Sequence, residues 1–320
     1  MISQTELARR LGVSQTAVSA ALRNQDRQLR LKPALATRIR QQARRLGYRP
    51  NLLARSLAQK KTQTLGVVVS DFSDPTFGSL LNHLQVQALK WKHELLVMGC
   101  GDREEEMNQI WERLLQRRVD AVLWIDCPSH TPLSKLERLW KKESVRVIGI
   151  GTVFRKSDVP ALVFDSEDAV KQLSAEVKGA QPVVFLQSHL QEEFSKWRWE
   201  CVQKEWGSRA SSLLCDQNVP LDCLLSLHRQ NQRLTLIGDQ DLTSLRVMHA
   251  LLNVGLKPKK DFFLGSFDGL SWLRGLKPTL SSIQQPLEEM SIRAIELAME
   301  TRPKHRVFYV KGKFLKGETL

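Results

Sequence analysis

The stretch LGVSQTAVSAALRN, residues 11–24, combines side chains suited to reading another molecule. Gln15 carries an amide that can pair bidentately with adenine. Thr16 and the methyl of Ala20 can meet thymine methyls in a major groove. A helix that must approach base edges closely needs small or amide side chains of this kind, with arginines around it to hold phosphates. The chemistry suggested is recognition.

The charge agrees with that reading because it is unevenly placed. Residues 1–61 hold fourteen Lys or Arg against two acids, Glu6 and Asp26, a net of +12. The whole chain of 320 residues is +14, so the remaining 259 residues contribute only +2. A small basic head on a nearly neutral body is the electrostatic footprint of nucleic-acid binding.

Elements that would position Gln15 follow from apolar spacing. SQTELARRL starts a first helix, with Thr5 as N-cap and Leu7, Ala8 and Leu11 inward. Gly12 ends it, and Ser14 caps a second helix over 15–22 with Val18, Ala21 and Leu22 inward. A third, near 33–46, turns Leu35, Ile39, Ala43 and Leu46 inward. Two short helices across a tight glycine turn, supported by a third, make a helix-turn-helix.

The motifs ELARRLGVSQTAVSAALRN, LGYRPNLLARSL and LGVVVSDFSDPTFGSLL resemble the lactose-repressor/galactose-repressor (LacI/GalR) family of bacterial transcription regulators. The likeness spans nearly the whole chain. It implies DNA contacts from Gln15, Thr16, Ser19, Ala20 and Asn24, and from Ala54 and Leu57 in a hinge helix. Leu57 would wedge into the central base step, unstacking it to bend the duplex. Two departures stand out. Ala20 replaces a long polar or basic residue found in many members, so the operator should differ from the common half-site. Lys32 replaces the serine that commonly caps the third helix.

Beyond Thr64, apolar runs alternate with helical stretches. TLGVVVS, HELLVMGC, AVLWI and RVIGI read as strands, with helices over 79–92 and 104–117 among them. PVVFLQ, SLLC, LTLIG and FFLGSF repeat the series, with helices near 192–206 and 242–253. Such alternation implies parallel sheets with helices on both faces, here in two lobes. The fold class expected is an all-α helix-turn-helix head on an α/β, periplasmic-binding-protein-like body. Expected boundaries are 1–48 for the head, 49–61 for the hinge and 62–320 for the body. Its lobes would be 62–160 with 285–303, and 161–284 with 304–320. Crossings between lobes are expected near 159–163, 283–286 and 302–307.

Ligands of open α/β sheets sit beyond the carboxyl ends of strands. The resemblance implies an effector there held by Arg198, Gln240 and Asp268, with Ser70 and Phe77 from the first lobe. Arginine, carboxylate and amide together suit a polyol or an acid. Gly151 stands where sugar-binding members often carry an aspartate, and IGIGTVF offers no side-chain anchor in its place. An Arg198–Asp268 pair that merely ties the lobes together is the structural alternative. Trp197 and Trp199 flank Arg198, so one of them could face the cleft.

Other chemistry finds little support. No H-x-x-H or H-E-x-x-H occurs, and GCG at 99–101 lacks the rest of a dinucleotide fingerprint. The acidic start of DREEEMNQIWERL suits a helix N-terminus. Five widely spaced cysteines without a C-x-x-C pair read as reduced thiols. No apolar run approaches the roughly 18 residues of a membrane span, and MISQTELARR has no apolar signal region, so a cytoplasmic protein is expected. The reading is a homodimeric repressor on double-stranded operator DNA, modulated by a small-molecule effector and needing no cofactor, metal or membrane. The alternative is a regulator of the same fold whose pocket takes no ligand; an enzyme using the cleft ranks last.

Overall fold

In the computed structural model, the described residues are 2–22, 31–48, 61–101, 103–126, 133–142, 145–177, 179, 181–188, 192–216, 218–300 and 306–320. They form two compact units, residues 1–62 and 63–320.

The first unit is the three-helix head: α1 Gln4–Leu11, α2 Gln15–Leu22 and α3 Pro33–Arg45. The cap of α1 is Ser3 rather than the expected Thr5. Its Oγ accepts the Glu6 N–H at 3.1 Å, and the helix begins one residue before Thr5. Gly12 ends α1 at φ +65°, a left-handed conformation that a glycine adopts without penalty. Ser14 caps α2 by accepting the Ala17 N–H at 3.1 Å. Lys32 gives α3 no side-chain cap, leaving Pro33 to pre-set its first turn. Leu7, Ala8, Val18, Ala21, Ala36, Ile39 and Ala43 form the core, with Leu11, Leu22, Leu35 and Leu46 at its edge. Arg40 donates to the Ala21 carbonyl at 2.8 Å and ties α3 to the end of α2.

The body contains two six-stranded sheets. The first has the order β11-β5-β4-β3-β1-β2, from Val307–Val310, Ala161–Phe164, Arg146–Ile150, Ala121–Ile125, Thr64–Val69 and Glu94–Gly99. The second has the order β12-β10-β9-β8-β6-β7, from Lys313–Leu315, Ser281–Gln284, Phe262–Asp268, Leu234–Gly238, Val183–Gln187 and Ala210–Leu214. All pairings are parallel except β10 with β12. β1, β3, β6 and β8 are buried along their whole length or nearly so, which suits central strands covered on both faces.

The helices are α4 Pro75–Lys90, α5 Glu104–Gln116, α6 Leu133–Lys142, α7 Ser166–Glu176, α8 Glu193–Trp206, α9 Leu221–Asn231, α10 Asp241–Asn253 and α11 Leu287–Met299. α4 starts at Pro75, four residues before the expected 79. Asp74 accepts the Thr76 N–H at 2.7 Å, and proline at the first helical position supplies the turn.

The lobe boundaries also differ from expectation. Ala161–Phe164 and Val307–Val310 pair with each other at the edge of the first sheet, beyond the expected limits at 160 and 303. The chain changes sheet after Phe164, at Gln285–Pro286 and at Lys311–Gly312. α11 returns to the first lobe, where Met290, Ala294 and Ile295 pack with Leu80 and Leu84 of α4. Strands four residues long, flanked by other apolar residues, gave too weak a pattern to mark these crossings.

Candidate functional site

In the head, Gln15 and Thr16 are exposed on the first turn of α2, and Ser19 is half-buried. Ala20 corrects the expectation: it is 1% exposed, so its methyl is packed inside the head and does not stand at the surface. Arg9, Arg10, Arg38, Arg44 and Arg45 are exposed around these helices. Arg9 and Arg10 both hydrogen-bond Glu6 at 2.8 Å, which lowers its carboxyl to about 2. Asn24, Ala54 and Leu57 lie outside the described residues.

The second candidate is a cleft between the body's lobes, at the carboxyl ends of both sheets. Its cavity is about 70 Å³. From the first lobe come Asp74 at the cap of α4, Phe77 on its first turn, Asp126 after β3, and Gly151 with Thr152 after β4. From the second come Phe194 and Arg198 of α8, Gln240 at the start of α10, and Asp268 at the end of β9. Gln285 enters from the passage between lobes. Of the residues expected here, Phe77, Arg198, Gln240 and Asp268 share the cavity wall. Ser70, half-buried after β1, does not line it.

Arg198 is buried at 4% exposure. Its Nη2 lies 3.5 Å from Asp268 Oδ1, and its Nη1 donates to the Asp239 carbonyl. The guanidinium lies 4.6, 5.2 and 5.5 Å from the ring centres of Phe267, Phe194 and Phe164. Its Nε–H is buried without a partner. Asp268 Oδ1 also accepts Gln285 Nε2 at 2.7 Å. Arg198 and Asp268 both belong to the second lobe, so their pair cannot serve as a tie between lobes.

Burial raises the Asp268 carboxyl above its ordinary range, against the pull of Arg198. Burial also raises Asp74, and the Asp268 charge facing it adds to the rise. Asp241 accepts Ser282 Oγ at 2.6 Å and the Leu270 N–H at 2.8 Å, yet burial and Asp268 push it to about 7. Asp239 is raised by burial despite accepting both the N–H and Oγ of Ser188 at 2.7 Å and Ser195 Oγ at 2.8 Å.

Sequence reasoning missed Asp74, Asp126, Thr152 and Gln285. Asp126 is the first polar residue after AVLWI, just as Asp268 closes FFLGSFD. The carboxyl-end rule used for one therefore applies to both. The tryptophans beside Arg198 point elsewhere: Trp197 packs with Arg155 and Tyr309, and Trp199 stacks on Phe185. Among the described residues no cluster of His, Cys, Asp and Glu could hold a metal ion, and no helix is long and apolar enough to cross a membrane.

A two-lobed α/β binding body in one chain with a helix-turn-helix head defines the class. Residues 62–181 match the family of periplasmic binding proteins and the sugar binding domain of the LacI family. Catabolite control protein A of Staphylococcus aureus is 24% identical over 304 residues, covering 91% of this chain and 90% of that protein. The lac repressor dimer bound to operator and the anti-inducer ONPF superposes with a TM-score of 0.81 at 18% identity, covering 99% of this chain and 98% of that one. A LacI family regulator, CcpA of Weissella paramesenteroides, with bound glucose, gives 0.69 at 15% identity, covering 80% of this chain and 98% of that one. The chain belongs to the LacI family.

Proposed function

We propose that the protein is a homodimeric transcription regulator, a repressor, that binds double-stranded operator DNA through its head and a small polar effector in its cleft. The observation that carries this reading is the joining, in one chain, of a head of net charge +12 that exposes Gln15 and Thr16 with a body built around a polar cavity. One head covers only a half-site, so two copies must cooperate on a two-fold operator. Exposed Val86 and Leu89 on α4 give a second copy apolar surface to cover. A ligand that prefers one lobe arrangement shifts the operator equilibrium by its differential affinity for the two. No nucleophile–base or metal constellation supports catalysis instead.

A second reading has one observation in its favour. Phe194 lies over Arg198 in a narrow cavity, as a pocket closed to ligands would require.

The test is fluorescence anisotropy of the full chain on duplexes selected from random DNA. Specific affinity should fall steeply as salt rises from about 50 to 200 mM, and a truncated chain beginning at Thr64 should lose it. Full affinity in the truncated chain would overturn the assignment.

A further inference from the structure

Resting on the cleft as an effector site, we infer that the cleft selects a hydroxylated amine, a ligand bearing an ammonium group, over neutral sugars and acids. Three carboxylates, Asp74, Asp126 and Asp268, line the cavity with a single cation, Arg198, among its described residues. That cation is already matched: its Nη2 faces Asp268 and its Nη1 holds the Asp239 carbonyl. An entering anion would therefore meet net negative charge in a site of low dielectric, where like charges repel strongly. An ammonium group would instead offset the first-lobe carboxylates of Asp74 and Asp126 through charge-assisted hydrogen bonds.

The aromatic lining points the same way. Arg198 lies over the rings of Phe164 and Phe194, while Phe77 remains on the first-lobe wall beside Asp74. A ring face next to carboxylates is the surrounding that ammonium ligands favour. The hydroxyls are required by a separate observation. The Arg198 Nε–H is buried and unpartnered, and a ligand oxygen could accept from it. The expectation of an acid as one possible effector is thereby set aside.

The cleft's place between lobes gives this chemistry a consequence. Asp74 belongs to the first lobe and Asp268 to the second, and they oppose each other across the cavity. An ammonium between them replaces repulsion with attraction to both walls and favours the closed arrangement.

The experiment is a thermal-shift comparison of the full chain with two matched sets of probes. One set is D-glucosamine, D-glucose and D-glucuronate; the other is putrescine, 1,4-butanediol and succinate. The expected result is that an amine raises Tm more than its neutral counterpart and its acid does nothing. That preference should disappear in Asp126→Asn and in Asp74→Asn, the latter retaining a side chain able to cap α4. If a neutral or acidic probe stabilises as well as its amine, and Arg198→Ala abolishes the response, the cleft binds ligand but the charge class is wrong. Silence of all six probes, or amine shifts unchanged in both variants, also overturns the inference. Operator binding measured on the same preparations judges the regulator reading separately.

Discussion

Asp126 occupies the space above Gly151: its Oδ1 lies 3.0 Å from the point where a β-carbon on Gly151 would stand. The two residues end neighbouring strands, β3 and β4, and the Asp126 N–H donates to the Ile150 carbonyl at 2.7 Å. The carboxylate that sugar-binding relatives are expected to place after the fourth strand is here supplied by the strand beside it. Asp126 adopts φ +52°, a left-handed conformation that aspartate tolerates better than most residues.

Gly151→Asp should therefore fail to restore a sugar-type pocket. The new side chain would sit at φ +126°, where non-glycine backbone is strained by about 1–3 kcal/mol, and would bring a second carboxylate against the first. The body should unfold at lower urea concentration than the parent. Asp126→Asn in the same chain should recover part of that loss by removing the repulsion. Equal midpoints for the single and double variants would show that backbone strain alone sets the cost.

Arg198→Ala should destabilise the body as well as alter its ligand response. It leaves Asp268 buried without its cation, and breaking a buried pair from one side costs about 3–5 kcal/mol. The chain can relieve part of this by keeping Asp268 protonated, which its raised titration already favours. Pairing Arg198→Leu with Asp268→Asn should cost less than the sum of the two single changes. Urea unfolding of the four proteins as a double-mutant cycle measures the coupling. An additive result would mean the pair contributes nothing to stability.

The fold was legible where the pattern was long. TLGVVVS, AVLWI and LTLIG announced buried strands because five or six apolar residues stood together, and Gly12 with Ser14 announced the turn of the head. The lobe crossings were not legible. ALVF and VFYV pair with each other across more than a hundred residues, and no local signal encodes a partner that distant. Arg198, Gln240 and Asp268 came from resemblance and do meet. Asp126 did not, because the reading looked for the acid at position 151 and not at the neighbouring strand end. Ala20 shows the opposite error. Counting helix positions placed it on the outer face of α2, but in so small a head even that face is partly covered.

The buried carboxylates give the body an unusual dependence on pH. Asp241 titrates at about 7 in the folded chain, against about 4 for an unfolded aspartate. Between those values the folded state holds a proton that the unfolded state has released. Stability from this group is therefore complete below about pH 4, declines as pH rises and is lost through about pH 7. Asp74, Asp239 and Asp268 are raised too and act in the same direction. The midpoint of urea unfolding should fall from pH 5 to pH 7.5. Asp241→Asn should flatten that decline, since its amide carries no charge and the Ser282 hydroxyl can reverse its role to accept from it. A decline of the same steepness in the variant would assign the effect to other groups.

Gln15 and Ala20 lie on the same helix but should respond to substitution in different ways. Gln15 is exposed, so Gln15→Ala should leave the head's stability nearly unchanged. It should relax preference at one base position of each half-site, by about 1–3 kcal/mol, with other positions read as before. Ala20 is buried, so Ala20→Arg cannot simply extend a basic side chain toward the groove. Inserting that volume into a packed site costs about 1–3 kcal/mol of overpacking, and burying the charge adds to it. The head should lose order, and affinity for all duplexes should fall together. Selection of bound sites from random DNA, read alongside far-ultraviolet circular dichroism of the full chain, separates the outcomes. A well-folded Ala20→Arg protein with a new base preference at one position would return Ala20 to the base-reading set and show that α2 shifts when its partner is DNA.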